Sequence, residues 1–351
     1  MPKDLAMLVS PGELAQILRE VERQRWDGER SQEIPELLAL RMAASGRHAL
    51  LDHVRRIGSF ELGKHYRVLR LFDFGAESLV FLGENRDSGE TVIVKVPFVD
   101  YTDLAHLDVG QLLRRRHRLV HEAELLRVLE STALPSFVGE YTGCNPMFPA
   151  GLPPFLRTQE QFLVMEYIQG TRLDALAREL HQQERGCCTM RLAVQFSVVF
   201  LRLAAEIGRR LGPMAAYTDI KPENALIQGT DIRIVDAASI AREPAPGVPL
   251  AVSELYLEPV DLVHSREGTL VPDTAFTLRS LSRCMRLLVS NAPMFVGQAA
   301  PDWPPFAAWT LGPSIDSLLA RSRVTSEEAA TALQEALEQL QCAHGNGPFL
   351  A

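Results

Sequence analysis

From Tyr66 onward the chain alternates apolar and polar side chains with a period of two. Tyr66–Phe72, Ser78–Gly83 and Glu90–Val96 each read as a strand, separated by turns at Asp73–Glu77 and Asn85–Gly89. The second turn carries Asp87-Ser88-Gly89, residues that favour tight reversal. The period then lengthens: Leu119, Leu125, Leu126 and Leu129 predict one apolar side of a helix over Gln111–Leu129. Tyr141–Gln161 holds Pro146, Pro149, Pro153 and Pro154, which exclude a regular helix and predict an enlarged loop between two strands. Phe162–Gly170 reads as a further apolar strand ending in glycine, and the remainder of the chain is mostly helical in pattern, with a long helix over Met190–Leu211. A last helix opens at Thr325 or Ser326 as its cap, with Glu327 and Glu328 in its first turn. Ahead of the strands, Ser10-Pro11 predicts a helix start followed by Leu14, Ile17, Leu18 and Val21, and Ile34–Ala44 and Arg47–Ile57 predict two more helices. The organisation expected is a helical extension over 1–60, a smaller sheet-rich domain over 61–168 and a larger helical domain over 169–345.

One stretch gathers chemistry. Between Tyr217 and Asp236, the apolar runs Ala225-Leu226-Ile227 and Ile232-Arg233-Ile234-Val235 flank a Gln228-Gly229-Thr230-Asp231 turn and predict a small hairpin. Polar residues bound it on both sides, so Asp219, Lys221, Asn224 and Asp236 are expected at one mouth. A carboxylate there can orient a hydroxyl and accept its proton. An amide oxygen and a second carboxylate are hard ligands for Mg2+, and an ammonium offsets charge on a moving phosphoryl group.

The text Asp219-Ile220-Lys221-Pro222-Glu223-Asn224 followed by Asp236 resembles the catalytic and metal-binding loops of protein kinases, and its Lys221-Pro222 resembles those acting on serine or threonine. The resemblance covers about Tyr66 to Leu340. It implies an α+β, bilobal fold: a small antiparallel-sheet lobe plus helix, then a larger helical lobe. It implies ATP and Mg2+ as cofactors and a protein or peptide hydroxyl as acceptor. In that reading Asp219, Lys221, Lys95 and Glu122 are catalytic, and Asn224 and Asp236 hold the metal. Lys95, inside an apolar strand, requires a partner; His121-Glu122-Ala123-Glu124-Leu125-Leu126 resembles the family's partner helix and selects Glu122 over Glu124. Gly75, Val80, Lys95, Met165, Glu166 and Ile168 are expected around the nucleotide, with the backbone of Glu166 and Ile168 on the base and Met165 limiting the pocket. Ser253 takes the position of a threonine that touches the catalytic carboxylate, and Asp273 that of an aspartate anchoring the catalytic loop.

The chain also departs from the family. Asp73-Phe74-Gly75-Ala76-Glu77-Ser78 keeps one of three glycines in the phosphate-covering loop, and Asp73 and Glu77 would repel phosphate if they pointed inward. Tyr217-Thr218 replaces His-Arg, which removes the basic seat for a phosphorylated loop, so loop phosphorylation is not expected to be the main switch. Ala237-Ala238 replaces Phe-Gly, with Ala238 at a position where glycine's backbone freedom is expected to matter. Val260 replaces a glutamate that pairs with an arginine; Glu258 with Arg323 is the substitute considered. The alternatives are a pseudokinase that binds nucleotide or acts as a scaffold, and a kinase-like enzyme with a non-protein acceptor.

Bulk properties narrow the field. Hydrophobic residues at 46 % and charged residues at 23 % are those of a globular chain, and a net charge of -8 argues against a nucleic-acid backbone as partner. The local run Arg114-Arg115-Arg116-His117-Arg118 reads first as a solvated helix face and otherwise as a dock for an acidic or phosphorylated partner. The 1–60 extension reads as packing on the main domain or as a regulatory, partner-binding element. Five cysteines without metal spacing fit a reducing cytoplasm, Cys187-Cys188 reading as loop filler. Neither a secretory signal nor a membrane span is expected, since Leu192–Ile207 is interrupted by Gln195, Arg202 and Glu206.

Overall fold

The structure, a computed structural model, describes residues 52, 59–75, 77–98, 109–144, 159–182, 186–242, 250, 252–291, 295–302 and 324–345. The helices expected between Ser10 and Ile57, the four prolines of 146–154 and Arg323 lie outside the described residues, Asp52 excepted. The fold is α+β, and the chain divides into two compact units between Ile168 and Gln169.

In the first unit, β1 (Phe60–Leu62), β2 (Tyr66–Phe74), β3 (Ser78–Asn85), β4 (Thr91–Pro97), β5 (Phe137–Cys144) and β6 (Gln159–Glu166) form one antiparallel sheet in the order β1-β2-β3-β4-β6-β5. Helix α1 (Val109–Leu129) packs against β4, β5 and β6. Period-two alternation places Leu79, Phe81, Val92, Val94, Val96, Phe162 and Val164 in one buried cluster. Each such side chain contributes about 1.5–3 kcal/mol when removed from water, which sets the register of the sheet. The β3–β4 turn closes through Asn85, whose Oδ1 accepts the Asp87 N–H at 2.9 Å, and through Gly89 at φ 72°. Strand β2 runs to Phe74, two residues past its expected end, so the first turn is shorter than the alternation suggests. The expected loop over Tyr141–Gln161 is strand at both ends, β5 reaching Cys144 and β6 beginning at Gln159.

The second unit is built on a long helix. After β7 (Thr171–Arg172) come α2 (Leu173–Gln182) and α3 (Gly186–Leu211). The latter buries Leu192, Ala193, Val194, Phe196, Val198, Phe200, Leu201, Leu203 and Ile207, an apolar surface too broad for a helix lying on a surface. It packs against α2, α5 (Thr274–Ser290) and α6 (Ser326–Gly345), with α4 (Pro259–Arg266) preceding α5. Its start at Gly186 makes Cys187-Cys188 helical, which corrects the loop expected there. Helix α6 is capped reciprocally: Thr325 Oγ1 accepts the Glu328 N–H at 3.2 Å, and Glu328 accepts the Thr325 N–H at 2.8 Å. No described helix is long and apolar enough to cross a membrane.

Small ladders complete this unit. Strands β9 (Ala225–Gln228) and β10 (Asp231–Ile234) form the expected hairpin, with Gly229 at φ 60° in its turn, and β7 joins β9. Strand β8 (Ala216–Tyr217) pairs with β11 (Ile240–Ala241). Gly170 enters β7 so close to β9 that a Cβ there would lie 2.7 Å from the Ile227 carbonyl oxygen, so only glycine fits without movement of the backbone.

Candidate functional site

The hairpin ladder and the β8–β11 ladder place Asp219, Lys221, Asn224 and Asp236 in one hydrogen-bonded constellation. Residues Pro222–Asn224 turn in a single 3-10 segment with proline at its start, which carries the chain from Asp219 into β9. Asp219 is 8 % exposed; its Oδ2 accepts from Lys221 Nζ at 2.5 Å, while its Oδ1 is buried without a partner. Leaving a carboxylate oxygen buried and unmatched is costly, so Oδ1 is the acceptor on this group that still lacks a donor. Lys221 Nζ also donates to Ser253 Oγ at 3.1 Å, so Ser253 reaches the carboxylate through the ammonium.

Asn224 is oriented by its neighbours. Its Nδ2 donates to the Asp219 carbonyl at 3.0 Å and to the Tyr217 hydroxyl at 3.2 Å, so both amide hydrogens are used and Oδ1 is the atom left to act as a ligand. The Tyr217 hydroxyl in turn shares its one proton between the carbonyls of Val235 at 2.8 Å and Asp236 at 3.2 Å. That ring is buried and packs edge-on against Phe200 of α3, with centroids 4.9 Å apart. Tyr217 thus joins Asn224 to Asp236.

Asp236 has a left-handed backbone, φ 68° and ψ 58°, which costs an L residue about 1–2 kcal/mol and less for Asp, whose short side chain bonds locally. Ser239 Oγ donates to its Oδ2 at 2.9 Å. The expected backbone problem at Ala238 is not seen, because the positive φ falls on Asp236 instead. Asn224 and Asp236 offer hard oxygens, and no described cluster of three or more His, Cys, Asp or Glu could bind a metal alone. Such a pair suits Mg2+, which takes one or two carboxylates or amides and fills its remaining positions with water and phosphate.

One expectation in this unit is corrected, and a second, the pairing of Glu258 with Arg323, lies outside the described residues. Asp273 accepts the Phe276 N–H at 2.8 Å and so caps its own helix α5, with no bond to the 219–224 loop; Cys284 Sγ reaches that loop instead, donating to the Ile220 carbonyl at 3.7 Å. Glu258 lies 3.9 Å from Arg283, a buried guanidinium on α5 that also donates to the carbonyls of Leu255 and Gln298. Burial pushes the Glu258 carboxyl above its ordinary range, Arg283 opposing.

In the sheet unit, Lys95 Nζ donates to Glu122 Oε1 at 2.7 Å, with side chains only 8 % and 3 % exposed. Glu124 is exposed. Val80 lies directly opposite Lys95 across β3 and β4, and Met165 lies opposite Ile93, two residues from Lys95, so Val80, Lys95 and Met165 share one face of the sheet. Met165 and Ile168 are buried. The Glu166 N–H donates to the Ser136 carbonyl at 2.9 Å, so the backbone of Glu166 can offer a base edge its carbonyl but not its N–H. Gly75 sits in the β2–β3 turn with its N–H on the Ser78 carbonyl, and a Cβ there would meet nothing closer than 4.0 Å.

The basic run on α1 is solvated only in part: Arg114 and His117 are exposed, whereas Arg115, Arg116 and Arg118 turn toward partners. Arg116 makes two bonds, 2.5 and 2.7 Å, to the fully buried Glu160, and Arg115 donates to the Phe98 carbonyl at 2.6 Å. Arg115 and Arg118 lie 3.7 and 3.8 Å from Glu77, which draws that acid toward the helix. Asp73 accepts the Phe74 N–H at 2.8 Å. Composition hides these partners because they are distant in sequence. The residues that sequence reasoning passed over are Tyr217 and Thr218, noted only as departures, and Ser239; their hydrogen bonds depend on the register of two-residue strands.

No protein-family model matches the chain, and no curated protein matches its sequence.

Proposed function

We propose that the chain is a Mg-ATP-dependent phosphotransferase with the bilobal fold of a serine/threonine protein kinase, transferring the γ-phosphoryl of ATP to a protein hydroxyl. The observation that carries the reading is the state of Asp219: one carboxylate oxygen held by Lys221 and the other buried without a donor. A substrate hydroxyl would supply that donor, be oriented by it and pass it a proton as attack begins. Lys221 remains beside the carboxylate and balances charge on the phosphoryl group in transfer. Asn224 and Asp236 would hold Mg2+, whose contribution is to neutralise phosphate charge. Lys95, kept in place by Glu122, takes the inner phosphates. The cysteine usage suits a reducing compartment such as the cytoplasm.

The test is mass spectrometry of the protein and of mixed peptide substrates after incubation with Mg2+ and ATP. A mass gain of one phosphate on Ser or Thr is expected, and Asp219→Asn should lower the rate by about 10^2–10^4-fold without altering the circular dichroism melt. Full transfer by Asp219→Asn would remove the role given to that residue. A pseudokinase reading is favoured only by the β2–β3 turn, which carries Glu77 in place of a glycine cradle. Nucleotide binding that needs no metal, with transfer absent, would select it. Phosphate appearing on a small molecule instead would select a non-protein acceptor.

A further inference from the structure

Resting on that functional reading, we propose that Thr218 and Ser239 form a positioning pair that presets the Asp236 carboxylate for its metal without any modification of the segment. Asp236 holds a left-handed backbone, which is uncommon outside glycine although Asp tolerates it better than most, and neighbouring groups bond to it there. The β8–β11 ladder, Ile240 opposite Tyr217, continues one step further as the Thr218 N–H donating to the Ser239 carbonyl at 2.9 Å. The Thr218 hydroxyl donates to the same carbonyl at 2.9 Å. Two donors on one oxygen hold Ser239 in place, and Ser239 then acts on Asp236 twice: its N–H donates to the Asp236 carbonyl at 3.1 Å and its hydroxyl to Oδ2 at 2.9 Å.

Thr218 is 3 % and Ser239 1 % exposed, so water does not compete for these bonds. Asp236 itself is partly exposed. A segment ordered by a phosphate needs a cation to receive it; threonine cannot serve, but a neutral hydroxyl can fix the carbonyl at all times. Donors to a ligating carboxylate set its orientation, and their loss typically weakens metal binding by about 10- to 100-fold.

The experiment measures Mn2+ affinity by electron paramagnetic resonance in the presence of a non-hydrolysable ATP analogue, together with the analogue's own affinity at saturating metal. Ser239→Ala and Thr218→Val are expected to weaken Mn2+ binding by about 10- to 100-fold, with Thr218→Ser, which keeps the donor, close to wild type. Ser197→Ala is the control, since Ser197 is a buried serine on α3 whose hydroxyl donates to the Ala193 carbonyl at 2.9 Å. If Ser239→Ala and Thr218→Val hold Mn2+ as tightly as Ser197→Ala does, the pair has no positioning role and the inference is overturned while the functional reading stands. Should Thr218→Val fail to fold, Ser239→Ala decides the matter. A wild-type protein that takes up no Mn2+ with the analogue overturns the functional reading, and this assignment with it.

Discussion

Replacing Lys95 by methionine is the sharpest test of the sheet unit, because the two consequences expected of it are separable. The ammonium and the Glu122 carboxylate are 2.7 Å apart and less than a tenth exposed, so salt screens them little. At an effective dielectric of about 20 their gross attraction is roughly 6 kcal/mol, most of which offsets the cost of taking two charges out of water. Lys95→Met leaves a carboxylate buried among Ala123, Leu125 and Leu126 with its ammonium gone, and should cost about 3–5 kcal/mol. With a urea slope of about 3 kcal/mol per molar, the unfolding midpoint falls by roughly 1–1.7 M. Lys95→Met combined with Glu122→Leu removes both charges and should recover all but about 1–2 kcal/mol, which gives a coupling energy well above 1 kcal/mol. Circular dichroism is a suitable probe, since both units contain helix. The reasoning fails if each single change costs under 1 kcal/mol or if the costs simply add. The double variant should also stay unable to bind ATP although its stability has returned, and wild-type ATP affinity in it would strip Lys95 of its phosphate role.

Two further outcomes check the packing. Gly170→Ala, whose Cβ would lie 2.7 Å from the Ile227 carbonyl oxygen, should lose about 1–3 kcal/mol, whereas Gly75→Ala, with open space around it, should stay within about 0.5 kcal/mol of wild type in the same urea titration. A fall in ATP affinity for the second variant then reports on phosphate approach and not on folding. Burial pushes the Cys284 thiol well above its ordinary range, with Glu223 adding to the effect, so alkylation mapped by mass spectrometry at pH 8 should spare Cys284 until urea is added; modification in the folded protein would contradict the packing of α5 against the 219–224 loop.

The strands and helices that hydrophobic pattern reveals are those whose burial is decided locally. Strands β2 and β3 alternate over part of their length, and β4 is an apolar run buried on both faces. An Asn85–Gly89 turn that its own residues close joins β3 to β4, and α3 is apolar over most of its surface. Strand β5 is implied only by the loop that follows it, and its bounds are not legible, because Gly139 and Gly143 dilute its alternation and its partner β6 lies beyond the proline-rich segment. The arginines of α1 mislead for a related reason: a run of like charges is solvated unless acids reach it, and the acid that holds Arg116 is 44 residues away. In the 217–239 constellation the order of Asp219, Lys221, Asn224 and Asp236 is readable, since it depends on residue type and spacing. What fixes those groups is not, because a shift of one residue between β8 and β11 would hand the Ser239 carbonyl to a different donor.

That dependence bears on how the departures from kinase text should be weighed. A site in decay would be expected to lose groups and leave their former partners unmatched. Here the replacements at 217 and 218 have assignable places: the Tyr217 hydroxyl accepts from Asn224 and shares its proton between the Val235 and Asp236 carbonyls, and Thr218 holds the Ser239 carbonyl with two donors. The alanine at 238 is spared strain because Asp236 takes the left-handed turn. Among the side-chain oxygens of Asp219, Asn224 and Ser253, the carboxylate Oδ1 of Asp219 is the one left buried without a donor, and it belongs to the residue that a substrate hydroxyl would approach. Satisfied replacements at 217 and 218, together with an unmatched carboxylate oxygen on Asp219, are what the proposed phosphotransferase calls for and a decayed scaffold does not.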